Sequence, residues 1–265
     1  MQKPGKIKSV TIIGAGNVGW HMARAFHQTG IDVLDVVSGT QHHAEELAKM
    51  VSATPRTQID GIAREPDLFL VCVNDDLINE IIGKFSGKET LIAHTSGSTG
   101  TEIFQNAVEN YGVFYPLQTF TRGNEMTYNT IPFLVEGSSP ELVQQLKGLA
   151  DRISGIVYEA DSEARRKMHI AAVFACNFSN HLAAIAHDLL IEAGLKFELL
   201  HPLMEETIRK LKTMDPASAQ TGPAVRNDIK TIEKHMITLE GRPEEQQLYR
   251  LLTESITRYR KKKNE

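Results

Sequence analysis

Cysteine is scarce in this 265-residue chain, and neither sign of charge dominates it. The two thiols, Cys72 and Cys176, cannot build a disulfide framework or a four-cysteine zinc site, and they fit a reduced, cytoplasmic setting. The 10 histidines are scattered, with no HExxH run and no paired-cysteine spacing, so no metal site is expected. Lys and Arg number 29 against 33 Asp and Glu, a formal net charge of −4. So mild an acidity lacks the broad positive field that general nucleic-acid binding needs, and no nucleic-acid partner is expected. Met1 to Ser9 is short and polar, without the apolar centre of a signal peptide. No stretch approaches the roughly 18 uncharged apolar residues of a spanning helix, so no membrane association is expected either.

Core-forming material, by contrast, is ample. Hydrophobic residues make up 41% of the chain, which excludes a wholly disordered protein. The length suits one large domain or two smaller ones. In the first part, short β-rich runs alternate with helical ones. Val10 to Ile13, Val33 to Ser38, Leu68 to Val73, Thr90 to His94, Tyr111 to Tyr115, Pro132 to Glu136 and Ile156 to Tyr158 read as strands. Val18 to Gln28, Ala44 to Met50, Leu77 to Ile82 and Pro140 to Ile153 read as helices. This alternation predicts an α/β fold with a parallel, doubly wound sheet. After Asp161 the strand signal stops. Glu163 to Ala193 has neither proline nor glycine and is closed by Gly194, which predicts one helix about 46 Å long. Phe197 or Glu198 to Met214, Asp228 to Glu240 and Pro243 to Arg260 continue in helical periodicity. The change near residue 160 predicts two domains, an α/β domain over 1–160 and an all-α domain over 161–265. The Arg258–Lys263 cluster reads as a frayed, solvated end.

Gly14-Ala15-Gly16-Asn17-Val18-Gly19 is G-x-G-x-x-G, placed directly after a strand and directly opening a helix. In that context the pattern signals dinucleotide binding rather than a bare turn. Gly14 permits the tight turn, Gly16 lets the backbone approach a pyrophosphate, and Gly19 lets helix and strand pack closely. The helix N-terminus adds unsatisfied N–H groups and a positive dipole end. An NAD site usually places an acid about 20 residues beyond the first glycines, to bind the ribose 2′-hydroxyl. Val36 to His43 holds no acid there, and Ser38 and Thr40 can donate to a 2′-phosphate. It holds no arginine either, so His42 or His43 would have to supply the positive partner. The cofactor expected is therefore NADP ahead of NAD.

Ligands in such sheets sit beyond the carboxyl ends of strands. That rule nominates three turns, Asn74-Asp75-Asp76, His94 to Ser98 and Pro116 to Thr119. The first two, with Val73, Asn74 and Thr95 as cofactor contacts, are expected to flank the nicotinamide end, and the third to face the helical domain, with Gln118 toward substrate. Asp75 reads as a plain N-cap. On the long helix, at about 100° per residue, His169, Cys176, Asn180 and His187 fall near one line, with Asn177 close to it. His169, Asn177 and Asn180 would either meet substrate or bond a neighbouring helix. Cys176 reads as a small buried core residue. Arg226, in Thr221 to Asp228, has the fork to bind a carboxylate of substrate or protein, and Asn227 or Asp228 is a natural N-cap.

With these residues in view, the chain resembles a family of NADP-dependent oxidoreductases that join a Rossmann-like N-terminal domain to a helical C-terminal domain of unassigned function. The resemblance rests on GAGNVG at 14–19, HTSG at 94–97, YPLQTF at 115–120, HIAAVFACNFSNHL at 169–182 and TGPAVRNDIKTIEKH at 221–235. More broadly the chain is similar to pyrroline-carboxylate reductases, ketopantoate reductases and hydroxyacid dehydrogenases of the 6-phosphogluconate-dehydrogenase type. In those relatives the helical domain forms dimers and contributes to the cleft, which implies a homodimer here. Two departures stand out. Tyr115 occupies a position where the family is expected to hold histidine, and the Lys-x-x-x-Asn pair of the hydroxyacid dehydrogenases is missing from the long helix.

Together these features read as an NADP-dependent oxidoreductase transferring a hydride to or from a small C=O or C=N metabolite in the cleft between two domains. His169 is the expected proton donor or substrate anchor, Asn177 and Asn180 orient substrate, and His94 and Ser96 are the alternatives from the other wall. The rival reading is a non-catalytic protein that senses NADP(H) or docks a partner.

Overall fold

Ser9–Ile13 (β1) is buried at every position, as a strand covered on both faces must be. It lies at the heart of a computed structural model that describes residues 6–264 and the side chains of 6–260. Beside it stand Asp32–Val37 (β2), Thr54–Arg56 (β3), Leu68–Val71 (β4), Ile92–His94 (β5), Tyr111–Pro116 (β6), Phe133–Gly137 (β7) and Val157–Glu159 (β8). Across the sheet they run β3-β2-β1-β4-β5-β6-β7-β8. The chain winds outward from β1 through Asn17–Gln28 (α1) and Gln41–Val51 (α2), then returns to the opposite side of β1 at β4. That reversal is the switch point beside which open α/β sheets bind their ligands.

Two features of the sheet depart from the sequence reading. β3 is an additional strand, inconspicuous because Pro55 interrupts it; proline cannot donate to a ladder, and β3 is accordingly an edge. The sheet is also not wholly parallel, since β6 and β7 pair antiparallel from Gly112↔Gly137 to Pro116↔Phe133. Residues 117–132, which join them, form no helix, so the chain doubles back without a crossover. Asp75–Gly83 (α3) packs Ile78 and Ile82 against Phe69 and Val71 on one face of the sheet. On the other face, α1, α2 and Pro140–Ala150 (α4) bury Phe26, Leu47 and Leu146. Ser139 caps α4 by accepting from the Leu142 N–H.

The long helix is present over 31 residues, Ser162–Glu192, and Gly194 ends it at a φ of +69°. It consists of Ser162–Ala172 (α5), a π-turn over Val173–Phe178, and Ser179–Glu192 (α6). By length and composition it could cross a membrane, which corrects the expectation that no segment could. Alanine, leucine, isoleucine, valine and phenylalanine supply its apolar character despite the polar residues along it. By packing, the chain forms two compact units, 1–177 and 178–265, so α5 belongs with the sheet and the change of pattern near 160 falls inside the first unit. The reason is a buried ion pair. Arg165 is fully buried; one guanidinium nitrogen pairs with Glu136 of β7, and another donates to Thr99 O at 2.6 Å and to Ser162 Oγ at 3.3 Å. Ser162 Oγ itself donates to both Glu136 oxygens, at 3.1 and 2.9 Å.

The second unit adds His201–Leu211 (α7), Pro216–Ala219 (α8), Pro223–Arg226 (α9), Ile229–Thr238 (α10) and Pro243–Asn264 (α11). Asp228 is the N-cap of α10, accepting from the Thr231 N–H at 3.2 Å. Among its described residues only Ala224 and Leu239 are buried hydrophobics. In the terminal basic cluster, Arg260 donates to Val225 O, and the side chains of residues 261–263 lie outside those described.

His94 ends β5 with no exposed surface, its ring stacked 5.4 Å from Phe104 and its Nδ1 accepting from the Ser96 N–H at 3.2 Å. Burial pushes its pKa down to about 4, and the nearby Arg165 charge acts in the same direction. The folded state thus holds His94 neutral. Its contribution to stability is complete above the unfolded pKa of about 6.5 and is lost as pH falls toward the folded one. Urea unfolding should therefore show stability declining by up to about 3 kcal/mol from roughly pH 6.5 to pH 4. His94→Phe, which keeps the stack, should flatten that decline; an unchanged slope would contradict the assignment.

Candidate functional site

The glycine turn follows β1 and leaves its middle open. Gly14 has a φ of +110°, and a Cβ there would stand 2.4 Å from Cys72 O. A Cβ on Gly19 would stand 1.8 Å from Gly14 O, so this pair fixes strand against helix. Gly16 is different: nothing lies within 4 Å of where its Cβ would be. Packing does not explain that glycine, and close approach of a ligand does. No side chain caps α1 and no acid occupies its first turn, so its N–H groups are free to meet an anion. The residues present fit a dinucleotide pyrophosphate.

The neighbouring nominees are distributed around that turn. Ala15 is buried, Asn17 is exposed and Val18 half-buried. Val73, after β4, would stand 3.1 Å from a Gly14 Cβ, and Thr95 Oγ1 donates to Val71 O at 3.2 Å. Ser38 is half-buried and its hydroxyl accepts from the Thr40 N–H at 3.3 Å; Thr40 is the N-cap of α2, but its side chain caps nothing. Asn74, not Asp75, is the N-cap of α3; Asp75 opens the helix and accepts from Ser98 Oγ. Cys72 lies beneath the turn, its thiol pushed up to about 12 by burial, and is inert.

A second feature stands at the carboxyl end of β6. Tyr115 Oη lies 3.1 Å from His169 Nδ1, with the rings edge to face at 6.1 Å. Both line a pocket of about 350 Å³ with Leu117, Gln118, Phe120 and Asn177. Gly97 closes on them: a Cβ there would lie 2.6 Å from His169 Nδ1 and 2.8 Å from Tyr115 Cζ. The HTSG turn therefore needs its glycine to accommodate the pair. Tyr115 has its pKa raised, first by burial and also by the Asp75 charge, against a lowering by Arg165. It is held as a protonated phenol, able to donate.

The expected set divides accordingly. His169, Asn177 and Gln118 are brought together. Asn180 lies beyond the π-turn, in the second unit. His94 is withdrawn into the core, and Ser96 Oγ is committed to its own turn, accepting from the Thr99 N–H at 2.9 Å. Cys176 is exposed and lines the pocket, which corrects its reading as a core residue. Arg226 ends α9 in the second unit, where its charge helps lower the Asp228 pKa behind the bonds from Thr231. Sequence reasoning passed over Tyr115 as a chemical group, although its place directly before Pro116 at a strand end was a usable signal. It also missed Arg56, which pairs with Asp35, and Arg122, whose backbone N–H donates to Asn17 Oδ1 and whose guanidinium pairs with Glu46.

Residues 2–118 match the Rossmann-like domain family, and residues 131–256 match a domain of unknown function, DUF2520. Comparison with curated proteins finds no match. Among solved structures, a Bacteroides fragilis protein provisionally described as an NADP oxidoreductase is 40% identical, with a TM-score of 0.89 over 95% of this chain and 98% of that one. An imine reductase from Myxococcus stipitatus, in complex with NADP+, is 17% identical, with a TM-score of 0.63 over 96% of this chain and 93% of that one. A 1-pyrroline-5-carboxylate reductase from Streptococcus pyogenes is 14% identical, with the same TM-score over 96% and 98%. The latter two share the fold. The 40% identity over nearly the full length of both chains, with both domain matches in order, makes this chain a member of the family that joins a Rossmann-like domain to a DUF2520 domain.

Proposed function

We propose that this chain is an NADP-dependent oxidoreductase acting on a small metabolite with a C=O or C=N bond, bound in the pocket beside Tyr115 and His169. The observation that carries the reading is the 3.1 Å Tyr115–His169 contact in a ligand-sized pocket, on a sheet whose first turn leaves Gly16 open. The NADP-oxidoreductase description of the 40% identical relative supports it. Gly14 to Gly19 would hold the pyrophosphate, with Ser38 and Thr40 toward the adenosine ribose. When bound, the cofactor supplies or accepts a hydride.

The chain's own task is the proton. With hydrogen on Nδ1, His169 donates to Tyr115 Oη and leaves the phenol hydrogen free for a substrate oxygen or nitrogen. Tyr115 gives that proton to the heteroatom during reduction and takes it back during oxidation, His169 stabilising the charge that develops on Oη. Asn177 and Gln118 offer amide groups that orient the substrate, while Leu117, Phe120 and Val173 exclude water. A π-turn carrying Asn177 is in keeping with such a role, because these irregularities concentrate at functional sites.

The second unit supports a homodimer. Met204, Ile208 and Leu211 recur at helical spacing on α7 and remain exposed, as do Ile191 and Leu251. A unit with so little buried core gains most from another copy of itself, which presents the same stripes at equal concentration.

A screen of carbonyl and imine metabolites, followed by NADPH absorbance, should reveal a substrate. With it, Tyr115→Phe and His169→Ala should each lower kcat by about 10²- to 10⁴-fold while NADPH affinity is kept. Unchanged turnover in both variants would remove the proton-transfer assignment. Light scattering should give about twice the 29.5 kDa chain mass, and Ile208→Glu should shift it toward the monomer. A monomeric parent protein would refute the dimer.

A further inference from the structure

We infer that Arg122, with His42 beside it, grips the 2′-phosphate of the cofactor and sets the preference for NADP over NAD. This rests on the cofactor reading above and supplies the cationic partner that the end of β2 lacks.

The arginine arrives from the irregular connection between β6 and β7. His21, buried in α1, fastens that connection down: Nε2 meets Thr121 O at 2.9 Å, Nδ1 meets Tyr128 Oη at 3.2 Å, and the ring stacks 4.8 Å from Phe120. The next residue is thereby set across the first turn of α1. The Arg122 backbone N–H donates to Asn17 Oδ1 at 3.1 Å, and its guanidinium lies 4.9 Å from the centre of the Trp20 ring. From there it reaches over to α2 and pairs with Glu46. His42, one turn earlier on α2, places Nε2 3.7 Å from the same carboxylate.

Two basic side chains thus converge on one carboxylate, on the helix that follows Ser38-Gly39-Thr40. The ribose of a dinucleotide held at Gly16 extends toward that helix start. A guanidinium matches phosphate oxygens in a bidentate fork, and a phosphate monoester carries enough charge to engage both bases. The existing partner is replaceable. Glu46 keeps 42% of its side chain exposed, and exposed ion pairs hold weakly. Arg56, the other arginine near the end of β2, is not free in this way. It pairs with Asp35, whose side chain is only 5% exposed, and also donates to Gly61 O at 2.9 Å, so it fastens the edge strand. Glu46 is therefore the internal counter-ion that keeps Arg122 in place until a phosphate replaces it.

Calorimetric titration of the full chain with NADPH and with NADH tests this. Arg122→Gln should weaken NADPH by about 10- to 100-fold and leave NADH within about 2-fold. Glu46→Gln, which removes the competing carboxylate, should tighten NADPH several-fold, roughly, without altering NADH. A gain of this kind does not arise from damaged folding. If the parent chain binds neither nucleotide, the cofactor reading itself fails. If it binds both, and Arg122→Gln weakens them equally or not at all, or Glu46→Gln fails to tighten NADPH, the inference alone is overturned.

Discussion

The buried pairing of Arg165 with Glu136 is the constraint on which the rest of the first unit depends. An unpaired guanidinium in the interior would be strongly unfavourable, so α5 is held where Glu136, Thr99 O and Ser162 can surround it. His169 follows Arg165 by four residues, one helical turn, and so emerges on the same side of α5. Glu136 stands on β7, whose neighbour β6 carries Tyr115. One ion pair therefore fixes both the rotation of the helix and its position along the sheet, and the Tyr115–His169 contact results. Gly97 completes the arrangement because any side chain there would occupy the space of both rings.

The antiparallel turn-back between β6 and β7 gives the fold its second constraint. A crossover helix would have carried residues 117–132 onto a face of the sheet. Instead the segment stays at the strand ends, where Leu117 to Phe120 line the pocket and Arg122 lies on α1. The buried His21 fixes its midpoint through Thr121 and Tyr128. A single connection thus borders both the proposed substrate pocket and the proposed phosphate contact.

Local patterns were legible in the sequence, and partnerships across it were not. The apolar run Leu68 to Val71, the glycine turn and the long proline-free helix each announce themselves within a few residues, because strand burial, turn geometry and helix continuity are local demands. Pro55 concealed β3, since its edge position tolerates what an inner strand would not. The π-turn could not be read from composition, so the sequence carries regular helical geometry straight through Val173–Phe178. The burial of His94 and the roles of Arg165 and Arg122 depend on contacts spanning tens of residues. The absence of an acid after β2 was visible; the arginine proposed to use that absence comes from 76 positions beyond Glu46.

The central claim is that the glycine turn and the Tyr115–His169 pocket form one site. A crystal structure of the full chain with NADP+ tests it most directly. The account predicts the pyrophosphate against Gly16 and the nicotinamide ring reaching Gly97 beside Tyr115. A nicotinamide directed away from that pocket, or a nucleotide bound elsewhere than the glycine turn, would contradict it.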